Sequence, residues 1–139
     1  MREILFRGKA VEGYLKNGEA NFWAYGYLVK FDGKFYIMEE DSGWDILESG
    51  IEVIAETVGQ FTGLTDKNGV RIFEGDLIYI GESLHVIVWN EKGYWLCKPT
   101  KGNNYYYTGR ALWFKDTEFP HATVIGNIHD NRELLEVVE

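Results

Sequence analysis

The sequence predicts a mainly β protein of the α+β kind that ends in one short helix, and three observations predict it. Sixteen glycines and only two prolines are spread along the 139 residues. Short aromatic or β-branched runs lie between them, which is the punctuation of strands and tight turns. Asp32-Gly33 separates two such runs, and Asp-Gly favours the two-residue hairpin turn whose central residues both need positive φ. A helical pattern stands out only at the C-terminal end.

The elements follow in order. Residues 4–7 read as a first short strand. Residues 22–31 are rich in aromatics and end at Asp32-Gly33, and residues 34–39 return as the second arm of a hairpin. Residues 41–50 read as a loop around Trp44. Residues 51–54 fit a strand or a helical turn, because so few residues carry no decisive period. Residues 58–62 read as a strand, and Asp66-Lys67-Asn68-Gly69 as a turn with Gly69 in the left-handed position. Residues 70–73 run into a second turn, Glu74-Gly75-Asp76.

Strands at 77–80, 84–89 and 94–97 come next, divided by Gly81-Glu82-Ser83 and Asn90-Glu91-Lys92-Gly93. Strands so short, joined so tightly, suggest a meander curling into a small barrel. Leu84, Val86 and Val88 point to one side of their strand, Ile87 and Trp89 to the other. Both faces are apolar, so cover on both is expected. Residues 105–115 fit strand or helix, and Pro120 closes them. Residues 124–128 read as a strand. In the tail Asp130 stands as a helix cap, Glu133 follows three residues on, and Leu134, Leu135 and Val138 make an apolar face. A helix that short must dock to be stable.

Hydrophobic residues make up 45% of the chain and aromatics 16%, enough apolar surface to offset chain entropy without a disulfide or a metal. Fourteen basic residues against 22 acidic ones give a net charge of −8. The thickest basic patch is Lys98 with Lys101 and Arg110, too thin for the clustered phosphate neutralisation that duplex binding needs. Nucleic acid is therefore the second choice of partner. Cys97 is the single cysteine, which excludes an intrachain disulfide and reads as a small hydrophobe in a strand. The charged N-terminus lacks the apolar core of a signal peptide, and no apolar run reaches the roughly 20 residues of a membrane helix. A cytoplasmic protein with no membrane association is expected.

The chemical candidates are few. His85, His121 and His129 are too widely spaced, and too far from any cysteine pair, for a zinc site. Glu39-Glu40-Asp41 could hold a hard cation, but an acidic run in a turn serves solubility. Glu74-Gly75-Asp76 reads as turn chemistry, with Asp76 bonding local amides. Gly59-Gln60-Phe61-Thr62-Gly63 lacks the lysine and the strand-to-helix setting of a phosphate loop, and reads as a strand with a bulge or a close backbone approach. No catalytic residue, no metal and no cofactor is expected. The strongest recognition candidate is Tyr105, Tyr106 and Tyr107 with Trp113 and Phe114, since tyrosine and tryptophan dominate interface hot spots.

Four stretches carry a resemblance: Met1-Arg2-Glu3-Ile4-Leu5-Phe6-Arg7-Gly8; Thr57-Val58-Gly59-Gln60-Phe61-Thr62-Gly63-Leu64-Thr65-Asp66-Lys67-Asn68-Gly69; Ile72-Phe73-Glu74-Gly75-Asp76; and Val124-Ile125-Gly126-Asn127-Ile128-His129-Asp130-Asn131. In this order they resemble the YopX family, encoded by phages and prophages of Gram-positive bacteria. Phe61 and His129 stand where the family usually has tyrosine. The resemblance implies an N-terminal α+β part, here residues 1–69, and an SH3-like barrel with the C-terminal helix in residues 70–139. It implies no activity or ligand. The expectation is a non-enzymatic phage accessory protein that binds another protein or assembles with itself as a homo-oligomer. A nucleic-acid-binding module is the first alternative, and an enzyme acting on a small ligand the second.

Overall fold

A computed structural model describes residues 3–40, 43, 45–80, 83–100, 110–111 and 122–136. The chain divides into two compact units, Met1–Phe61 and Thr62–Glu139.

The first unit holds β1 (Phe6–Lys9), β2 (Trp23–Phe31), β3 (Lys34–Met38), a single-turn helix α1 (Ile46–Ser49), β4 (Ile51–Val53), a 3-10 turn at Ala55–Thr57 and the start of β5 (Gly59–Thr65). The strands lie side by side in the order β4-β3-β2-β1-β5. Asp32 and Gly33 make the β2–β3 turn with φ of 52° and 77°, as Asp-Gly predicts. The edge strand β4 comes back to the end of β1: Ala10 bridges Val53, and the Ile54 N–H donates to the Lys9 carbonyl at 2.8 Å.

Small residues set which side of β2 faces inward. Ala24 is buried with Ile37 and Val53, and Phe6, Leu28, Phe35, Ile51 and Val58 pack around them. A Cβ on Gly26 would collide with the Met38 carbonyl, so β2 approaches β3 closely only because that position is glycine. The expected loop at 41–50 contains α1, where the Asp45 carboxylate caps the Leu47 N–H at 2.9 Å.

The second unit holds the remainder of β5, then β6 (Arg71–Phe73), β7 (Asp76–Ile80), β8 (Ser83–Asn90), β9 (Tyr94–Pro99), β10 (Arg110–Ala111), β11 (Ala122–Asn127) and α2 (Arg132–Glu136). β7, β8 and β9 form the expected meander inside an antiparallel sheet ordered β10-β9-β8-β7-β11. Among the described residues this is an open ladder with β10 and β11 at its edges, and no pairing closes it into a barrel. Ile72, Ile78, Ile87, Cys97 and Ala122 form the buried core. Leu84 on one face of β8, and His85 with Ile87 on the other, are all buried. One face of the strand is thus buried through its middle, while on the other Leu84 alone is buried and Val86 and Val88 are half-buried. Trp89, at its end, is half exposed and packs edge-on against Trp95 with centroids 4.7 Å apart.

The tail helix begins one residue later than its sequence pattern suggests. Asp130 accepts from the Asn127 side-chain amide at 3.2 Å, which holds it in the preceding turn, and α2 starts at Arg132.

Candidate contact face

The family-like stretches of the second unit are a set of side-chain-to-backbone clamps. Asp66 is fully buried. One of its oxygens accepts the N–H groups of Asn68 (2.8 Å) and Val70 (2.9 Å), closing the turn after β5; the other accepts the Val124 N–H at 2.9 Å, tying that turn to β11. Burial pushes the Asp66 carboxyl up, but the amides of Val124, Val70 and Asn68, with the Lys67 charge, outweigh it and hold it below its ordinary value.

Thr62 donates to the Ile72 carbonyl and accepts from the Leu64 N–H. Asp76 accepts the Phe73 N–H at 2.7 Å, the local turn chemistry expected of it. Asn127 accepts the N–H groups of His129 and Asp130, and Asn131 accepts that of Asn127. A Cβ on Gly126 would strike the Asn131 side chain. These motif atoms are therefore engaged with backbone, where they close turns and tie them to neighbouring strands.

Among the described residues no three His, Cys, Asp or Glu side chains are placed to hold a metal ion. Cys97 lies in the core as a small hydrophobe. No described helix is long and apolar enough to cross a membrane. Tyr105, Tyr106, Tyr107, Trp113, Phe114 and His121 lie outside the described residues.

A different aromatic surface emerges in the first unit. Ala24, Gly26 and Leu28 turn inward, so Trp23, Tyr25, Tyr27, Val29 and Phe31 stand on the outward side of β2. Tyr25, Tyr27 and Phe31 are 43%, 48% and 45% exposed. Phe31 meets Tyr36 of β3 edge-on with centroids 6.5 Å apart, which places both rings on that side. On β1, Arg7 pairs with Tyr25 and Lys9 with Trp23. The Arg7 guanidinium lies 4.6 Å and the Lys9 ammonium 5.8 Å from the Trp23 ring centroid, both in cation–π range. Lys34 stands opposite Phe31 at the far end of β2.

Sequence reasoning saw residues 22–31 as an aromatic strand but missed the surface. The signal was present: small residues at 24 and 26 alternate with large rings at 23, 25 and 27. In a strand that opposes a small-residue face to an aromatic face. Which face is buried depends on the close approach of Met38 and Val53, which no local pattern shows.

The described chain is thus an antiparallel β protein whose motif residues build turns and whose rings line the outside of one sheet. It belongs to the YopX family: the family's model, described as YopX protein, matches residues 16–136. No curated protein matches it. Among solved structures it is similar to protein EF1440 from Enterococcus faecalis, at 22% identity and a TM-score of 0.48, over 97% of this chain and 99% of that one.

Proposed function

We propose that this chain is a phage- or prophage-encoded accessory protein that works by contact, without an enzymatic step or a cofactor, in the cytoplasm of the bacterial host. The observation that carries this reading is the row of rings on β2, with Tyr25, Tyr27 and Phe31 on one side of the strand and each more than two-fifths exposed. Contiguous exposed aromatics mark recognition surfaces, since they bury much area with few rotors. The engagement of Asp66, Asp76 and Asn127 with backbone amides supports contact over catalysis. Phage origin rests on the family resemblance. The same resemblance, together with the β7-β8-β9 meander, supports an SH3-like barrel for the second unit. A homo-oligomer is one route by which such a chain covers its rings.

The test compares the wild-type chain with Tyr25→Ser/Tyr27→Ser/Phe31→Ser by sedimentation and by cross-linking in host extract. Wild type is expected to form complexes, with itself or with another component, that the triple variant loses at an unchanged melting temperature. Identical complexes in both proteins would sink the reading.

A further inference from the structure

Building on the contact face just described, we propose that the outward side of the first sheet binds single-stranded nucleic acid, with bases stacking on the rings of β2 and phosphates held by Lys9 and Lys34. Two features of the face point to this occupant over a second copy of the chain.

The first is charge. Among the outward positions of β1 to β4, Lys9 and Lys34 are the cations that reach the surface, Arg7 is buried against Trp23, and Glu52 is the one carboxylate, facing Tyr36. The chain as a whole carries −8. At physiological ionic strength the Debye length is about 8 Å, so a phosphate on this face responds to the local cations far more than to distant carboxylates. Two copies meeting through the same face would set its lysines, Lys9 and Lys34, against each other.

The second is geometry. Tyr25 and Tyr27 are two residues apart on one side of a strand, which spaces their rings by about 6.8 Å. Lys9 lies opposite Trp23 and Lys34 opposite Phe31, so a cation stands at each end of the row. A row of rings on one side of a strand with an ammonium group at each end is the plan of a stacking platform. Every base offers a π-face to it, whereas the stacked bases of a duplex do not. Selectivity for single strands without strong sequence preference follows.

The test uses the full-length chain and a labelled oligothymidylate of about twelve nucleotides, read by fluorescence anisotropy at about 50 mM and about 200 mM salt. Binding is expected at the lower salt, weaker at the higher, and weaker for a duplex of equal length. Tyr25→Ala/Tyr27→Ala should lower affinity by about tenfold or more at an unchanged melting temperature. Lys9→Glu/Lys34→Glu should weaken binding and flatten its salt dependence. Absence of binding at low salt, or equal binding by the ring variant, overturns the proposal. Sedimentation of the same proteins separates the two levels. If no oligonucleotide binds but the ring variant loses self-association, the face is a protein contact and only the nucleic-acid assignment falls. If the ring substitutions alter neither, the contact face falls with it.

Discussion

Asp66 shows how a single buried charge organises the second unit. Its two carboxylate oxygens accept three backbone N–H groups, from Asn68, Val70 and Val124. Asparagine at this position keeps one acceptor oxygen and presents an amide donor where the other stood, so at least one buried N–H loses its partner. Hydrogen bonds to a charged group contribute more than neutral ones. Asp66→Asn should therefore cost about 2–4 kcal/mol, read as a drop in denaturation midpoint at pH 7. The pH dependence has a definite sign. The folded carboxyl titrates below its ordinary value of 3.8. Its contribution is complete above the unfolded value and is lost as pH falls below 3.8 through the lower folded one. The wild-type chain should lose stability across that acid window, and Asp66→Asn should lose less there. Parallel acid curves for the two proteins would show that the clamp is not charge-assisted.

At the scale of elements, the β2–β3 hairpin separates two uses of glycine. Gly33 sits at φ 77° with open space around it, so Gly33→Ala meets only backbone strain, about 1–2 kcal/mol. Gly26 lies against the Met38 carbonyl, so Gly26→Ala must push two strands apart and should cost about 2–3 kcal/mol. Thermal melts of the two variants should rank them in that order, with only Gly26→Ala disturbing the pairing of Tyr27 with Met38. The hairpin was legible because Asp-Gly states its own turn type, and the meander because Gly93 and its neighbours punctuate it. The single turn at Ile46–Ser49 and the 3-10 turn at Ala55–Thr57 were not legible. Each is held by two or three backbone bonds within one turn and one local side-chain bond, Asp45 on the Leu47 N–H and Thr57 on the Ile54 carbonyl. Bonds that local leave no periodicity to read. The start of α2 differs for a similar reason: Asp130 and Asn131 are both good caps by type, and local bonds of the Asn127 side chain to the Asp130 N–H and carboxylate hold Asp130 in the preceding turn. The contact face was half legible. The rings were visible, but their pairing with Arg7 and Lys9 is a matter of strand register.

For the whole molecule, the balance between repulsion and exposed rings sets the state in solution. At pH 7 the charge of −8 keeps copies apart. Near the sequence pI of about 4.9 that repulsion vanishes. The exposed apolar area of the rings of Tyr25, Tyr27 and Phe31 does not depend on that net charge, so their attraction persists. Asp66 is still ionised at pH 5, because it titrates below 3.8, and its clamp is intact there. Opening of this clamp is therefore not what would drive association near pH 5. Sedimentation velocity should show larger species at pH 5 than at pH 7.5 for the wild-type protein, with the far-ultraviolet circular dichroism unchanged. Tyr25→Ser/Tyr27→Ser/Phe31→Ser removes no acidic or basic residue, so it tests the rings separately from the repulsion. It should remain small at pH 5. If it associates as fully as wild type, loss of charge alone drives the assembly, and the aromatic face is not where the copies meet.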